Sequence, residues 1–244
     1  MASSSVALRR EYNKLMKAAY QTDIGHQRKQ NQDRVAVFTN KLGNQLMVIA
    51  DGIGGNRSGD IAAEQTVATL GSQFKKRPPQ TSMEGIRWFA RETQLINNKI
   101  LAQSKRNLRL QGMGTTMVAA ITFNDAVVVA NIGDSRGYIL HQNLLTQITV
   151  DHSLVKTGDI SEDEALKLPQ SNIITRAIGI SPDAQVDVNR FELNEGDQLL
   201  MCSDGLFKTV SKERIIKVLE LPIPLEEKCA QLIKMANDAG GPDN

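Results

Sequence analysis

Cysteine, aromatic residues and long apolar runs are all scarce in this sequence, and each shortage excludes a class of protein. The 244 residues include two cysteines, Cys202 and Cys229, which are too few for a disulfide-stabilised scaffold. Both lie in apolar stretches, so we expect reduced core thiols and a cytoplasmic location. One Trp, three Tyr and six Phe offer little surface for stacking nucleic-acid bases. No apolar run approaches the roughly 20 residues that a membrane-spanning helix needs.

Charge is nearly balanced along the chain. A formal net charge of +2 argues against the strongly basic face that duplex DNA binding requires. We therefore predict no nucleic-acid partner, no membrane partner and a monomeric protein. Residues 1–17 contain no apolar segment typical of a secretory signal, and we interpret them as an N-terminal arm or a tag. Length and composition fit one globular domain over residues 18–244.

Short β-rich segments separated by Gly, Asn or Asp predict strands. The Asn–Asp pair at residues 124–125 lies between two of them and predicts a hairpin, which favours antiparallel pairing. The predicted strands are residues 35–38, 45–50, 115–123, 126–132, 136–140 and 197–202.

Helical periodicity of apolar residues predicts helices over residues 58–74 and 82–105, the second with Ser82 as a possible cap. Two further helices are predicted at 211–219 and 225–237. Strands in two blocks, with helices inserted as pairs, predict an α+β fold in which the sheets and helices form a layered sandwich.

A glycine-rich stretch, VIADGIGGNRSGD at residues 48–60, invites comparison with phosphate-binding loops. It fails the dinucleotide-binding pattern, because Gly59 comes two positions too late, and it fails the P-loop pattern, because Asp60 and Ile61 replace the lysine and the hydroxyl. The Cys-x5-Arg loop of cysteine phosphatases is also missing, since Lys208 and Met235 stand at the arginine positions. A tight turn after a buried strand is the simple structural alternative.

Acidic residues recur in Gly-, Ser- or Asn-rich turns at the ends of predicted strands. Asp51 and Asp204 each follow an apolar strand and precede a glycine; the others are Asp33, Asp134 and Asp243. Any one of them alone is ordinarily a turn residue or a helix cap. If folding brings them together, their carboxylates would suit hard ions such as Mg²⁺ or Mn²⁺. Zinc would require His or Cys, and the three histidines show no ligand spacing.

Taken together, these motifs resemble the metal-dependent Ser/Thr protein phosphatases of type 2C in their bacterial form. The resemblance covers nearly the whole chain from residue 20, in the order typical of the family. The matching segments are TDIGHQRKQNQD (22–33), ADGIGGNRSGDIAAE (50–64), GMGTT (112–116), ANIGDSRGY (130–138), DHSLV (151–155), NIITRAIG (172–179), CSDGL (202–206) and GGPDN (240–244).

The resemblance implies a fold of two stacked antiparallel β-sheets flanked by pairs of α-helices. It also implies two tightly bound Mn²⁺ or Mg²⁺ ions and a weaker third ion. Asp51 would bridge the two ions, with the carbonyl of Gly52 on the second. Asp204 and Asp243 would complete the shell of the first ion.

The remaining roles follow from the same resemblance. Asp33 would act through metal-bound waters, and Asp134 would join Asp204 in holding the third ion. Arg28, five residues before Asp33, stands at the position of the family's phosphate-binding arginine. The simpler interpretation of Arg28 is a solvated charge in a basic turn.

The resemblance also implies the reaction, which is hydrolysis of phosphoserine and phosphothreonine in proteins, reversing a bacterial Ser/Thr kinase. A water between two ions has a lowered pKa and can attack phosphorus directly, while Arg28 orients the phosphate. Asp51, Asp204 and Arg28 are the predicted catalytic residues. Ile53 and Asn56 replace histidines found in relatives, so we predict that a metal-bound water protonates the leaving group. A catalytically silent phosphoprotein-binding scaffold and a hydrolase of small phosphate esters are the alternatives.

Two segments depart from the family pattern. Residues 151–172 would form the flap beside the active site, and this stretch is about four residues shorter than is usual in the family. Relatives also continue after GGPDN into another apolar strand, which this sequence does not contain. We therefore expect Asp243 to be weakly anchored if that strand is truly absent.

Overall fold

A five-stranded antiparallel sheet forms the centre of the fold. The structure is a computed structural model that describes residues 16–53, 58–124, 126–153 and 173–244. In spatial order, the strands of this sheet are β1 (Arg34–Thr39), β2 (Gln45–Ala50), β5 (Met117–Thr122), β6 (Val127–Ile132) and β9 (Asp187–Phe191). Every neighbouring pair is antiparallel.

A second sheet of three strands packs against the first. Its order is β10 (Gln198–Cys202), β7 (Arg136–His141) and β8 (Leu144–Gln147). Val118 and Val129 of the larger sheet pack with Leu199 and Met201 of the smaller one, so the two sheets share an apolar interface. Two short strands, β3 (Gly52–Ile53) and β4 (Gly114–Thr115), pair separately.

Helices cover the outer face of each sheet. On the larger sheet lie α1 (Gly59–Lys76) and α2 (Ser82–Arg106); on the smaller sheet lie α3 (Asp204–Phe207), α4 (Lys212–Leu219) and α5 (Leu225–Asp238). Strands β5 and β6 are buried throughout because one side of each faces the helices and the other faces the second sheet. The α-β-β-α sandwich expected from the sequence is confirmed.

Most predicted elements are found within one or two residues of their predicted ends. The segment 115–123 is divided between β4 and β5, because the amide of Thr116 donates to the carbonyl of Asp51 rather than to a strand neighbour. The hairpin between β5 and β6 is present in the register Thr122↔Val127, although residue 125 lies outside the described residues.

Three details of the prediction were wrong or incomplete. Ser82 is the first residue of α2 and not its cap; Thr81 is the cap, and its Oγ1 accepts a hydrogen bond from the amide of Glu84 at 3.2 Å. Strands β8 and β9 were missed because they are short, polar and defined by their sheet partners. Both thiols are free, but only Cys202 is buried, while Cys229 is half-buried on α5.

Several expectations concern parts of the chain that are not described. Residues 1–15 of the predicted arm, Asn56, and residues 154–172 of the predicted flap all lie outside the described residues. Within the described part, no helix is both long and apolar enough to cross a membrane.

Candidate functional site

The register of the strands brings the predicted carboxylates to one end of the sandwich. In the larger sheet, Arg34 of β1 pairs with Ala50 of β2, so Asp33, just before β1, is adjacent to Asp51, just after β2. In the smaller sheet, Arg136 of β7 pairs with Cys202 of β10. Asp134 precedes this pair by two residues and Asp204 follows it by two, so these carboxylates flank the same end of the second sheet.

The backbone around Asp51 is fixed by the neighbouring chain. Its amide donates to Thr116 Oγ1 at 3.1 Å, and its carbonyl accepts from Thr115 Oγ1 and from the amide of Thr116, both at 2.8 Å. These bonds occupy the main chain of Asp51 and leave its carboxylate to face the site.

The glycines of this loop allow two backbones to touch. A Cβ atom placed on Gly52 would lie 2.4 Å from the carbonyl carbon of Gly59, and one placed on Gly59 would lie 2.6 Å from the carbonyl carbon of Gly52. Only glycine permits so close an approach at both positions. The start of α1 is therefore packed directly against the Asp51–Gly52 peptide.

Asp33, which is buried, and Asp51, which is half-buried, form the inner part of the acidic centre. Ser203 Oγ donates to Asp33 Oδ2 at 2.6 Å. Burial, together with the charges of Asp204 and Asp243, raises the pKa of Asp33 to about 7, although the hydrogen bond from Ser203 opposes the rise. Burial raises the pKa of Asp51 well above its usual value, and the charge of Asp33 adds to this effect.

Asp134 and Asp204 form a second acidic pair beside the first. Asp134 is 4% exposed, and burial followed by the charge of Asp204 raises its pKa to about 6. Lys208 Nζ donates to Asp204 Oδ2 at 2.7 Å. Within the described residues, the Oδ1 atoms of Asp134 and Asp204 are buried without a hydrogen-bond partner.

Asp243 lies at the rim of the centre and is paired with Arg28, whose Nη2 contacts its Oδ2. The Arg28 side chain is 51% exposed. Hydrogen bonds hold the segment around Asp243 in place: the amide of Gln32 donates to Asn244 Oδ1 at 2.8 Å, and Asn244 Nδ2 donates to the carbonyl of Ile24 at 2.9 Å. These contacts join the segment around Asp243 to residues 24–32.

The donor set fits hard divalent cations. Burial and the neighbouring acidic charges raise the pKa values of Asp33, Asp51 and Asp134, and the buried Oδ1 atoms of Asp134 and Asp204 have no partner among the described residues, so positive charge would stabilise this site. Within the described residues, however, no three His, Cys, Asp or Glu side chains lie close enough together to hold one metal ion. Arg28 and Lys208 hold the side chains of Asp243 and Asp204 in ion pairs instead. The individual ligand roles therefore stay a prediction.

Sequence reasoning missed several polar residues next to this centre. Arg136 is buried, donates from Nε and Nη2 to Asp151 Oδ2 at 3.0 and 2.7 Å, and lies over the ring of Phe207 at 3.9 Å. His152 Nδ1 accepts from the amide of Gly133 at 3.2 Å, so its Nε2 carries the proton shared with Asp187 at 3.0 Å. Both contacts fix residues 151–152 beside the turn that carries Asp134. Arg136 and His152 lie within the quoted segments ANIGDSRGY and DHSLV but were not singled out there. A further missed residue, Lys208, had a signal in its position four residues after Asp204.

Comparison with known proteins gives a consistent result. The family described as "Protein phosphatase 2C" matches residues 23–241. The "Serine/threonine phosphatase stp" of Listeria welshimeri is 41% identical over 234 residues, covering 94% of this chain and 93% of that protein. "Protein phosphatase PhpP" of Streptococcus pneumoniae is 38% identical over 233 residues, covering 94% of each.

Solved structures agree with these sequence relatives. A crystal structure titled "bacterial serine phosphatase" superposes with a TM-score of 0.88 at 35% identity, covering 93% of this chain and 94% of the other. The catalytic domain of the phosphatase PstP, solved in complex with two manganese ions, superposes with a TM-score of 0.79 at 33% identity, covering 93% of each chain.

Proposed function

The chain belongs to the protein phosphatase 2C family, and from this membership we infer that it is a metal-dependent protein-serine/threonine phosphatase. The observation that carries the inference is the meeting of Asp33, Asp51, Asp204 and Asp243 at one end of the sandwich, where their charges act on one another. A catalytically silent scaffold would have no need to keep these like charges together.

We propose that this centre holds two Mn²⁺ or Mg²⁺ ions. The charges of the other four carboxylates all act on Asp51, which would bridge the ions, with the carbonyl of Gly52 on the second. Asp204 and Asp243 would complete the first site, and Asp33 would act through bound water. When bound, the ions supply a water of lowered pKa as the nucleophile and positive charge for the phosphoryl oxygens. The structure of PstP with two manganese ions supports this number of ions.

Arg28 is the proposed substrate-binding residue. Its guanidinium lies at the rim of the acidic centre, is half-exposed, and contacts Asp243 through one edge. A planar guanidinium can bind two phosphoryl oxygens at once and so orient the ester for attack from the opposite side. If Asp243 binds an ion, its ion pair with Arg28 would break, and the guanidinium would then be able to bind phosphate.

In this proposal a water held by the ions would protonate the leaving Ser or Thr oxygen, as predicted from the sequence. Position 53, which is a histidine in some relatives, is Ile53 of β3 and has no proton to donate. The proposed nucleophile is also not a thiol, because Cys202 is buried and burial raises its pKa to about 12.

The biological setting of the activity is part of the same proposal. We propose a cytoplasmic, monomeric enzyme that removes phosphate placed on proteins by a Ser/Thr kinase. The two free thiols support a reducing compartment, and the relatives named as protein phosphatases support a phosphoprotein substrate.

Hydrolysis of p-nitrophenyl phosphate with and without Mn²⁺ tests the proposal. We expect activity that requires the ion and falls at least 100-fold in Asp204→Asn, while Asp238→Asn, a change of an exposed aspartate on α5, has no effect. Retention of phosphopeptide binding without any turnover would favour the scaffold.

Comparison of phosphothreonine peptides with sugar phosphates distinguishes a protein phosphatase from a hydrolase of small esters, because only the latter would prefer the sugars.

A further inference from the structure

Lys208 lies beside the two carboxylates that were expected to hold a third ion. It follows directly after α3, whose first residue is Asp204, so the two side chains are four residues apart and project from the same face. The amide of Lys208 donates to the carbonyl of Asp204 at 3.0 Å, and Nζ donates to Asp204 Oδ2 at 2.7 Å. The helical turn therefore sets the position of the ammonium group.

Asp134 lies at the same end of the smaller sheet as this ion pair. It precedes Arg136 of β7 by two residues, and Asp204 follows the partner of Arg136, Cys202 of β10, by two residues. Asp134 is 4% exposed, and its Oδ1 has no hydrogen-bond partner within the described residues. A buried, charged carboxylate that has one oxygen without a hydrogen-bond partner is costly unless a cation lies nearby. Lys208 supplies that charge.

We propose that the Lys208 ammonium is the built-in cation of the Asp134–Asp204 pair and stands where a third divalent ion would otherwise bind. This inference rests on the proposed two-ion function of the neighbouring carboxylates. One positive charge and three N–H donors satisfy part of what an ion would supply. The chain should therefore work with two ions and have little affinity for a third.

A second lysine in the chain shows why this pair is more than an ordinary surface contact. Lys234 and Asp238 on α5 have the same spacing and a similar distance of 2.6 Å, but their side chains are 73% and 60% exposed. The corresponding exposures of Lys208 and Asp204 are 23% and 17%. Lys234 therefore provides a matched control, because it forms the same kind of ion pair at an exposed position.

Counting bound Mn²⁺ by isothermal titration calorimetry and by equilibrium dialysis tests the proposal. The unaltered protein should bind two ions. Lys208→Gln should bind a third ion at least 10-fold more tightly than the unaltered protein does, and the added Asp134→Asn change should abolish that gain. Lys208→Arg and Lys234→Gln should both stay at two ions.

The outcomes separate this inference from the proposed function. Two ions in the unaltered protein and an unchanged count and affinity in folded Lys208→Gln would overturn the role of Lys208 alone. An absence of Mn²⁺ binding in the unaltered protein would overturn both proposals. If Lys208→Gln does not fold, the single variant Asp134→Asn tests the proposal instead. It should still bind two Mn²⁺ ions. Loss of one ion would show that Asp134 already binds metal and would overturn the proposal.

Discussion

Ser203 Oγ donates a 2.6 Å hydrogen bond to Asp33 Oδ2 and so connects the two sheets at the acidic centre. Asp33 precedes β1 of the larger sheet, and Ser203 lies between β10 and α3 of the smaller one. The bond favours the charged form of a carboxylate whose pKa burial raises to about 7. It therefore links the two halves of the site and keeps Asp33 available to a cation.

Loss of this bond should weaken metal binding. Ser203→Ala removes the donor that stabilises the Asp33 carboxylate, and a hydrogen bond to a charged group contributes about 1.5–3 kcal/mol. We expect the Mn²⁺ concentration for half-maximal activity to rise about 10-fold or more, as the corresponding free energy implies. Ser72→Ala, at an exposed position of α1, is the control. An unchanged Mn²⁺ requirement in Ser203→Ala would contradict the prediction.

The closeness of Gly52 and Gly59 predicts a steric effect. Gly52→Ala would place a Cβ 2.4 Å from the carbonyl carbon of Gly59, and neither backbone can move without displacing Asp51 or the start of α1. Overpacking of this kind typically costs about 1–3 kcal/mol. We expect a lower free energy of unfolding in urea and loss of Mn²⁺-dependent activity. Full activity of Gly52→Ala would contradict the prediction, because it would show that the backbones of Gly52 and Gly59 can move apart without disturbing the site.

Two of the carboxylates stand out in the sequence because of the residues before them. Asp51 and Asp204 each follow an apolar strand and precede a glycine, so the residue pattern alone draws attention to both. Their convergence follows from strand register, which periodicity does not determine. Only the resemblance to a family indicated that Asp33 and Asp243 belong to the same site.

The residues that sequence reasoning missed depend on long-range contacts. Ser203, Arg136 and His152 gain their partners only when the sheets stack and residues 151–152 fold against Gly133. Strand β9, with the sequence DVNRF, has few apolar residues and is held by its pairing with β6. Local propensity is a weak guide wherever such tertiary pairing decides the structure.

Arg28 should contribute to substrate binding and not to metal retention. In Arg28→Ala the phosphate loses a bidentate partner, and we expect kcat/KM to fall about 100-fold, which corresponds to about 2.7 kcal/mol. Mn²⁺ affinity should stay the same or increase, because Asp243 loses its competing ion pair. Arg87→Ala, at an exposed position of α2, serves as the control for both measurements. A fall in Mn²⁺ affinity would instead assign Arg28 a role in shaping the metal site.

The ion pair between buried Arg136 and half-buried Asp151 should stabilise the fold next to Asp134. Arg136→Gln leaves the Asp151 carboxylate without its charged partner and removes the contact with Phe207, and such a change typically costs about 3–5 kcal/mol. The double variant with Asp151→Asn should be less unstable than the sum of the single effects. Urea unfolding of the four proteins measures this coupling, and additive effects would contradict it.

Thiol reactivity distinguishes the proposed mechanism from any that uses a cysteine nucleophile. Burial raises the pKa of Cys202 to about 12, so at pH 8 only about one thiol in 10⁴ is ionised. Burial also raises the pKa of Cys229, but its side chain on α5 is half-buried and within reach of solvent.

Iodoacetamide should therefore modify Cys229 slowly in the folded protein and Cys202 only after unfolding, as peptide mass spectrometry can follow. Because neither thiol takes part in the proposed reaction, Mn²⁺-dependent activity should survive the first modification. Rapid alkylation of Cys202 in the folded protein, with parallel loss of activity, would mean that this thiol is accessible and that the carboxylate centre does not act alone.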